Sequence, residues 1–131
     1  MIRCWRLDDG RQTLVLGSMR GRLAEVVYWG PRLPDEEDLT PLYEAYTLDV
    51  TGGMLDANPE LSICPEATRA FPGQPGLIIR HGDGTPFLPK FCLEQADLGD
   101  GVLVLTYMDE ERLLLYRARF ALDPETHIIE A

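Results

Sequence analysis

The sequence is poor in the residues from which covalent and metal chemistry is usually built. It contains three cysteines, Cys4, Cys64 and Cys92, and two histidines, His81 and His127. The cysteines are odd in number, far apart and without C-x-x-C spacing, so they indicate neither a disulfide framework nor a zinc site. We expect buried free thiols, which fit a reducing compartment.

Neither histidine marks a catalytic group by its sequence context. His81 begins the turn sequence "HGDG", whose Asp-Gly pair is typical of a hairpin, and His127 lies near the end of the sequence. A nucleophilic Ser or Cys needs a histidine and a carboxylate beside it, and a nucleotide site needs a glycine-rich loop that opens a helix. Neither pattern occurs, so we predict no catalytic residue, no metal and no cofactor in this chain.

Basic residues are also few, with 12 Lys and Arg against 22 Asp and Glu and a formal net charge of -10. A charge of this sign repels phosphate groups, so neither nucleic acid nor an anionic membrane is an expected partner. Apolar runs stay far below the roughly twenty residues of a membrane helix. The charged start "MIRCWRLDD" lacks the apolar core of a signal peptide, and we expect a cytoplasmic protein.

What the sequence does contain is the pattern of an all-β protein. Its 131 residues and 45% hydrophobic content suit one domain that spans residues 1–131. Two short runs flank Arg20 and Gly21 and predict a β-hairpin of residues 12–19 and 22–29. Glycine- and aspartate-containing turns separate the later predicted strands, which span residues 77–80, 90–96, 102–108, 113–122 and 127–129. Such short intervals indicate an antiparallel sheet.

Two patterns add detail to this fold. Apolar residues recur at helical spacing after the acidic run at 35–38, which predicts one short helix with Thr40 as N-cap and Pro41 as its first residue. Residues 102–108 are nearly all apolar, as in a strand covered on both faces, whereas residues 116–122 alternate apolar residues with Arg117 and Arg119. We expect those arginines on a solvated sheet face, although a carboxylate or an acidic partner remains an alternative.

Regular periodicity disappears between residues 47 and 75, where glycine and proline are frequent. A loop of this length is either a binding element or a packed irregular connection, and the sequence leaves both open. Asp56 and Glu66 are its two candidate site residues, because little helix or strand pattern explains them. Asp56 precedes Asn-Pro, a context that also favours a turn.

The stretch "VYWGPRLP" places Tyr28 beside Trp29 and then ends in Gly and two prolines. Neighbouring side chains of a strand point to opposite faces, so both rings cannot enter one core. We expect Tyr28 to pack into the sandwich. Trp29, at the strand end, is expected to cover an edge, an interface or the apolar face of a sugar, and packing and sugar stacking both stay open.

Four segments in this order resemble the beginning of the α-galactosidases of glycoside hydrolase family thirty-six, the melibiase and raffinose-hydrolase group. They are "WRLDDGRQTLVL", "VVYWGPRLP", "GGMLDANPELSICPE" and "AFPGQPGLIIRHGDGTPFLPKF". The similarity spans nearly the whole chain. It implies an antiparallel β-sandwich of the supersandwich type, truncated relative to the family's domain, that forms the N-terminal part of a longer enzyme.

The resemblance also implies what the parent enzyme does. Its catalytic barrel, with an aspartate nucleophile and an aspartate acid/base, is expected beyond residue 131, and it hydrolyses terminal α-D-galactosides with retention. In the family the sandwich supports tetramer assembly, and its loops reach a neighbouring subunit's pocket. Asp56 is the counterpart proposed for the family's pocket aspartate, whereas the segment 71–75 lacks the Asp-Phe-Arg triplet of those relatives.

Two functions are therefore expected. The first is a non-catalytic domain of a homo-oligomeric α-galactosidase, tetrameric by resemblance, whose substrate-binding residues in this chain are Asp56 and Trp29. The 131-residue chain alone is then inactive. The alternative is a free-standing β-sandwich module that binds carbohydrate or a protein partner without catalysis.

Overall fold

The structure is a computed structural model that describes residues 1–48 and 60–131. These residues form three antiparallel sheets and one α-helix, which confirms the predicted all-β fold with one short helix. The first sheet contains β1 (Ile2–Asp8), β2 (Gln12–Met19) and β3 (Glu25–Pro31) in that order. A small hairpin contains β4 (Ile79–Arg80) and β5 (Pro86–Phe87). The third sheet contains β6 (Phe91–Gly99), β7 (Val102–Asp109), β8 (Leu115–Leu122) and β9 (Ile129–Glu130), in chain order.

The two predicted tight turns connect neighbouring strands. Arg20 and Gly21 join β2 to the segment before β3 with φ values of 56° and 71°, and Asp100 and Gly101 join β6 to β7 with 52° and 73°. Positive φ at both positions matches the twist of antiparallel strands, and Gly and Asp tolerate it. The turn chemistry therefore fixes these two hairpins locally.

The core lies between the first and third sheets, whose inner faces supply one contiguous apolar cluster. From the first sheet it takes Trp5, Leu7, Leu14 and Leu16, and from the third Phe91, Leu103, Leu105, Tyr107, Ala118, Phe120 and Leu122. A hydrogen bond links the two layers, because the buried Ala24 N–H donates to the Tyr107 hydroxyl at 3.2 Å. The arrangement is a sandwich of two packed antiparallel sheets.

The prediction for residues 102–108 is only half correct. Leu103, Leu105 and Tyr107 are buried in the core, but Val104 and Met108 on the opposite face of β7 are half-buried. An almost continuous apolar run thus belongs to a strand with one buried face.

Helix α1 (Leu39–Thr47) packs on the other side of the first sheet, away from the core. Its N-cap is Asp38, whose carboxylate accepts the Thr40 N–H at 3.0 Å, so the prediction of Thr40 as N-cap is wrong. Pro41 is the third helical residue, where its missing N–H costs no intrahelical bond. No helix in the described part of the chain is long and apolar enough to cross a membrane.

The three cysteines are free thiols in different surroundings. Cys64 is buried in the core and Cys4 is half-buried beside α1, and burial raises the pKa of both thiols. Cys92 is exposed on β6, which corrects the expectation that all three are buried. Its side chain lies opposite Met108, on the outer face of the third sheet.

Candidate functional site

Of the two substrate-binding residues predicted from the sequence, Asp56 and Trp29, the structure describes Trp29, which is 67% exposed. In the register of the first sheet it lies opposite Leu14, whose side chain is in the core. Trp29 therefore belongs to the inner face of the sheet but lies at the rim. Most of its surface is open to solvent, so within the described residues the ring is not packed, and its role at an edge, an interface or a sugar stays a prediction.

Hydrogen bonds fix the polar edge of this exposed ring. Trp29 Nε1 donates to Gln12 Oε1 at 2.9 Å, and Gln12 Nε2 donates to Asp9 Oδ2 at 3.0 Å. The other Asp9 oxygen accepts the backbone N–H groups of Arg11 and Gln12 at 2.9 and 3.0 Å. The turn between β1 and β2 thus positions Gln12, and Gln12 orients the indole.

His127 brings the opposite sheet into the same network. Its Nδ1 lies 2.8 Å from Asp9 Oδ2, and its carbonyl oxygen accepts from Gln12 Nε2 at 2.6 Å. The residue has a φ of 61° and closes the turn between β8 and β9 through its N–H, which donates to the Asp123 carbonyl at 2.9 Å. We call Asp9, Gln12, Trp29 and His127 the Trp29 cluster.

Asp9 is the charged centre of the Trp29 cluster, and its side chain has no exposed surface. Burial alone would raise the pKa of Asp9, but hydrogen bonds from Gln12, Arg11 and His127 outweigh it and hold the pKa well below its usual range. The carboxylate is therefore ionised at neutral pH, and its Oδ2 accepts a hydrogen bond from the N–H at His127 Nδ1. In a neutral imidazole this leaves Nε2 as an acceptor.

The chemistry of the Trp29 cluster suits recognition. It offers an aromatic face, an oriented imidazole and an amide beside a fixed anion, which together can contact a ligand with one apolar and one hydroxylated side. Within residues 1–48 and 60–131, no group of three or more His, Cys, Asp and Glu side chains could hold a metal ion.

Replacing Asp9 with asparagine tests the role of this carboxylate in the fold. We expect Asp9→Asn to lower the melting temperature at pH 7 by several degrees. The melting temperature of the variant should also fall less steeply than that of the wild type as the pH is lowered. A carboxylate whose folded pKa lies below the unfolded value of about 3.9 stabilises the fold above that pH, and the contribution is lost as pH falls through the folded pKa. Thermal unfolding from pH 7 down to about pH 3 measures both effects.

The exposed Glu125 in the β8–β9 turn provides a matched carboxylate for comparison. Glu125→Gln should reproduce the wild-type curve within the error of the measurement. Curves for Asp9→Asn and the wild type that remain parallel over the whole pH range would contradict the assigned role.

Tyr28 differs from its prediction. It pairs with Val15 on the face of the first sheet that carries α1, and it is not part of the core cluster. The ring is half-buried and its hydroxyl donates to the Pro31 carbonyl at 2.7 Å. Gly30 and Pro31 do not end the strand, because β3 continues through both of them. Since β3 is an edge strand, a proline without an N–H is tolerated there.

The two loop carboxylates have different outcomes. Asp56 lies outside the described residues, so its assignment to the substrate site stays a prediction. Glu66 is buried, and its Oε1 accepts the Phe91 N–H at 2.6 Å while Oε2 lies 3.5 Å from Arg69 Nε. Burial raises the pKa of Glu66, partly offset by Phe91 and Arg69. The adjoining cavity of about 10 Å³ has room for roughly one water. The role that the structure shows for Glu66 is to connect the loop to β6 through its hydrogen bond with the Phe91 N–H.

Asp9, Gln12 and His127 carry no motif in the sequence that predicts a site. Asp9 and His127 are 118 positions apart, and only the packing of the two sheets brings them together. The aspartate before Gly10 at the β1–β2 turn was a signal for a turn, but turn chemistry alone does not indicate a histidine partner.

Comparison with protein-family models, with curated proteins and with solved structures finds no match for this chain.

Proposed function

We propose that this chain is a non-catalytic β-sandwich domain of a cytoplasmic α-galactosidase that hydrolyses terminal α-D-galactosides, and that its Trp29 cluster faces the sugar. In this proposal the domain supports assembly of a homo-oligomer, with a tetramer as the expected form, and contributes to a neighbouring subunit's substrate pocket. The sequence resemblance and the all-β fold of two packed sheets support it. The three free thiols fit the reducing compartment that the proposal assumes.

The observation that carries the proposal is the exposed indole of Trp29, held at Nε1 by Gln12. The apolar face of galactose stacks on such a ring, and a fixed ring loses little conformational entropy when the sugar binds. Gln12 and His127 are the polar groups near the ring, and the buried Asp9 carboxylate holds both of them in place. Glycoside cleavage itself needs a pair of carboxylates across a pocket, which the proposal assigns to another part of the parent enzyme.

The second candidate function is a free-standing module that binds carbohydrate or a protein partner. The same exposed indole favours it, because a platform of this kind works without a catalytic barrel. Assays with a chromogenic α-galactoside separate the two candidates. We expect turnover by the full-length gene product and none by the 131-residue chain, and an inactive gene product that still binds galactosides would favour the module.

Tryptophan fluorescence tests sugar binding directly. The chain has two tryptophans, and Trp5 is buried in the core, so a change on addition of methyl α-D-galactoside reports on Trp29. We expect Trp29→Ala to weaken galactoside binding about tenfold or more, which corresponds to about 1.4 kcal/mol. Trp29→Phe should retain part of the affinity because a smaller aromatic face remains.

Titrations followed by NMR measure these affinities for variants that lack the indole. Leu98 is an exposed apolar residue on β6 and serves as the matched control, since Leu98→Ala should leave binding unchanged. Equal affinities for the wild type and Trp29→Ala would remove Trp29 from the site. An absence of any galactoside response in both the chain and the full-length protein would overturn the proposed function.

A further inference from the structure

Within residues 1–48 and 60–131, one edge of the third sheet is open along most of β8. β9 pairs only with Ala121 and Leu122, and no described strand pairs with residues 115–120 on that side. The Leu122 N–H donates to Gly101 in the β6–β7 turn at 2.9 Å. Because backbone groups alternate between the two sides of a strand, Leu115, Arg117 and Arg119 direct their N–H and C=O groups towards the open edge. Such groups are a template for a further strand.

A groove of about 290 Å³ follows this edge and is apolar on its inner side. It is lined by Ile63, by the five β8 residues from Tyr116 to Phe120, which include Arg117 and Arg119, and by Ala131. Continuing the register of β9, in which Ile129 lies opposite Leu122, brings Ala131 opposite Phe120. An added strand antiparallel to β8 and in line with β9 would cover these apolar side chains.

Charge determines which segment fits. Arg117 and Arg119 are exposed on the outer face of β8, and no ion pair of either is recorded among the described residues. In a strand added beside β8, the residues on that face lie directly across from the two arginines, where opposite charges stabilise the pair and like charges destabilise it. Antiparallel pairing of β8 with a second copy would bring arginines next to arginines, which disfavours that partner.

We propose that the open edge of β8 is a strand-acceptor site for an extended segment in which acidic and apolar residues alternate. The segment lies antiparallel to β8 in line with β9. Its acidic residues face Arg119 and Arg117, and its apolar residues cover Ala118 and Tyr116. The backbone groups of Leu115, Arg117 and Arg119 then gain hydrogen-bond partners, as in β-strand addition. This inference is independent of galactoside binding.

A short synthetic peptide in which glutamate alternates with valine tests the site. It is added free, and it is also joined directly after Ala131, where the link raises its effective concentration. We expect slower amide hydrogen exchange at Leu115, Arg117 and Arg119. The matched peptide with lysine in place of glutamate should bind about tenfold more weakly to the wild type. In the double variant R117E/R119E, the lysine peptide should bind more tightly than the glutamate peptide.

Three outcomes would overturn the proposal. The first is an unchanged exchange rate at these three amides with both the free and the joined peptide. The second is equal binding of the glutamate and lysine peptides. The third is a concentration-dependent dimer in sedimentation that protects the same amides without peptide, which would assign the edge to a second copy of this chain.

Discussion

Gly17→Ala is expected to loosen helix α1 from the first sheet and to lower the free energy of unfolding by about 2–4 kcal/mol. A Cβ atom at Gly17 would lie 2.2 Å from Cδ2 and 2.7 Å from Cε2 of Tyr43, and 2.9 Å from Val27 Cγ2. Tyr43 is 3% exposed and is the buried anchor of α1. Because the ring lies directly on the glycine backbone, it must move out when a methyl group is added.

The displaced ring also breaks a buried hydrogen bond. The Tyr43 hydroxyl donates to Glu25 Oε2 at 3.1 Å, and Glu25 Oε1 accepts the Leu61 N–H at 3.1 Å. Losing the hydroxyl leaves a buried carboxylate oxygen without its donor, a penalty of about 1–3 kcal/mol within the total. Helix α1 and the segment at Leu61 are therefore expected to loosen together.

Urea unfolding of Gly17→Ala and Gly99→Ala measures this effect against a matched control. Gly99 also lies in a strand, but a Cβ there meets nothing within 4 Å, so its replacement should change stability by less than about 0.5 kcal/mol. In a double-mutant cycle, Tyr43→Ala should cost much less in the Gly17→Ala background than in the wild type. Additive effects of the two substitutions would show that the predicted collision does not occur.

The second large effect is expected at Tyr107, where Tyr107→Phe should destabilise the protein by about 1–3 kcal/mol. The substitution keeps the ring and removes the hydroxyl that accepts the Ala24 N–H. Ala24 and Tyr107 are both fully buried, so no water replaces the lost acceptor and the N–H remains unsatisfied. The bond connects the segment before β3 to β7, so its loss weakens the contact between the two sheets.

Unfolding at alkaline pH gives an independent measurement of what the protonated Tyr107 hydroxyl contributes to stability. Burial raises the pKa of Tyr107 to about 12, above the usual tyrosine value of about 10. The folded protein therefore holds this proton more tightly than the unfolded chain, and stability falls as pH rises from about 10 to about 12. Part of this loss should disappear in Tyr107→Phe.

Tyr116→Phe is the control, because that ring packs 6.0 Å from Tyr107 and no hydrogen bond of its hydroxyl is recorded within the described residues. It should leave stability at neutral pH nearly unchanged. Equal destabilisation by the two substitutions would mean that the bond to Ala24 contributes nothing specific.

Strands with explicit turns were predictable from the sequence. Gly21 in the first turn and Asp100 and Gly101 in the second tolerate positive φ, and the strands beside these turns were identified within a few residues. β1 was missed because Arg3 and Arg6 interrupt its apolar residues. Arg6 is retained there through a bidentate pair with Asp8 and bonds to the carbonyls of Leu33 and Pro34.

The N-cap of the helix and the burial of the two aromatic rings could not be predicted from the sequence alone, because both depend on tertiary packing. Asp38 and Thr40 are both good N-caps, and Pro41 is compatible with either because proline is tolerated anywhere in the first turn. Alternation placed Tyr28 and Trp29 on opposite faces of β3 correctly. It did not reveal that the inner face at Trp29 extends past the rim of the opposing sheet, which leaves that ring exposed.

The sandwich also determines the order in which the chain can fold. The first sheet consists of neighbouring hairpins, yet its Leu7, Leu14 and Leu16 share one core cluster with Leu105 and Phe120, roughly a hundred positions later in the chain. During synthesis the N-terminal sheet therefore emerges well before the strands that bury it, and contacts so distant in sequence form slowly. The nascent chain therefore exposes the apolar face of the first sheet until β7 and β8 have been synthesised, and in that interval it is open to contacts with other hydrophobic segments.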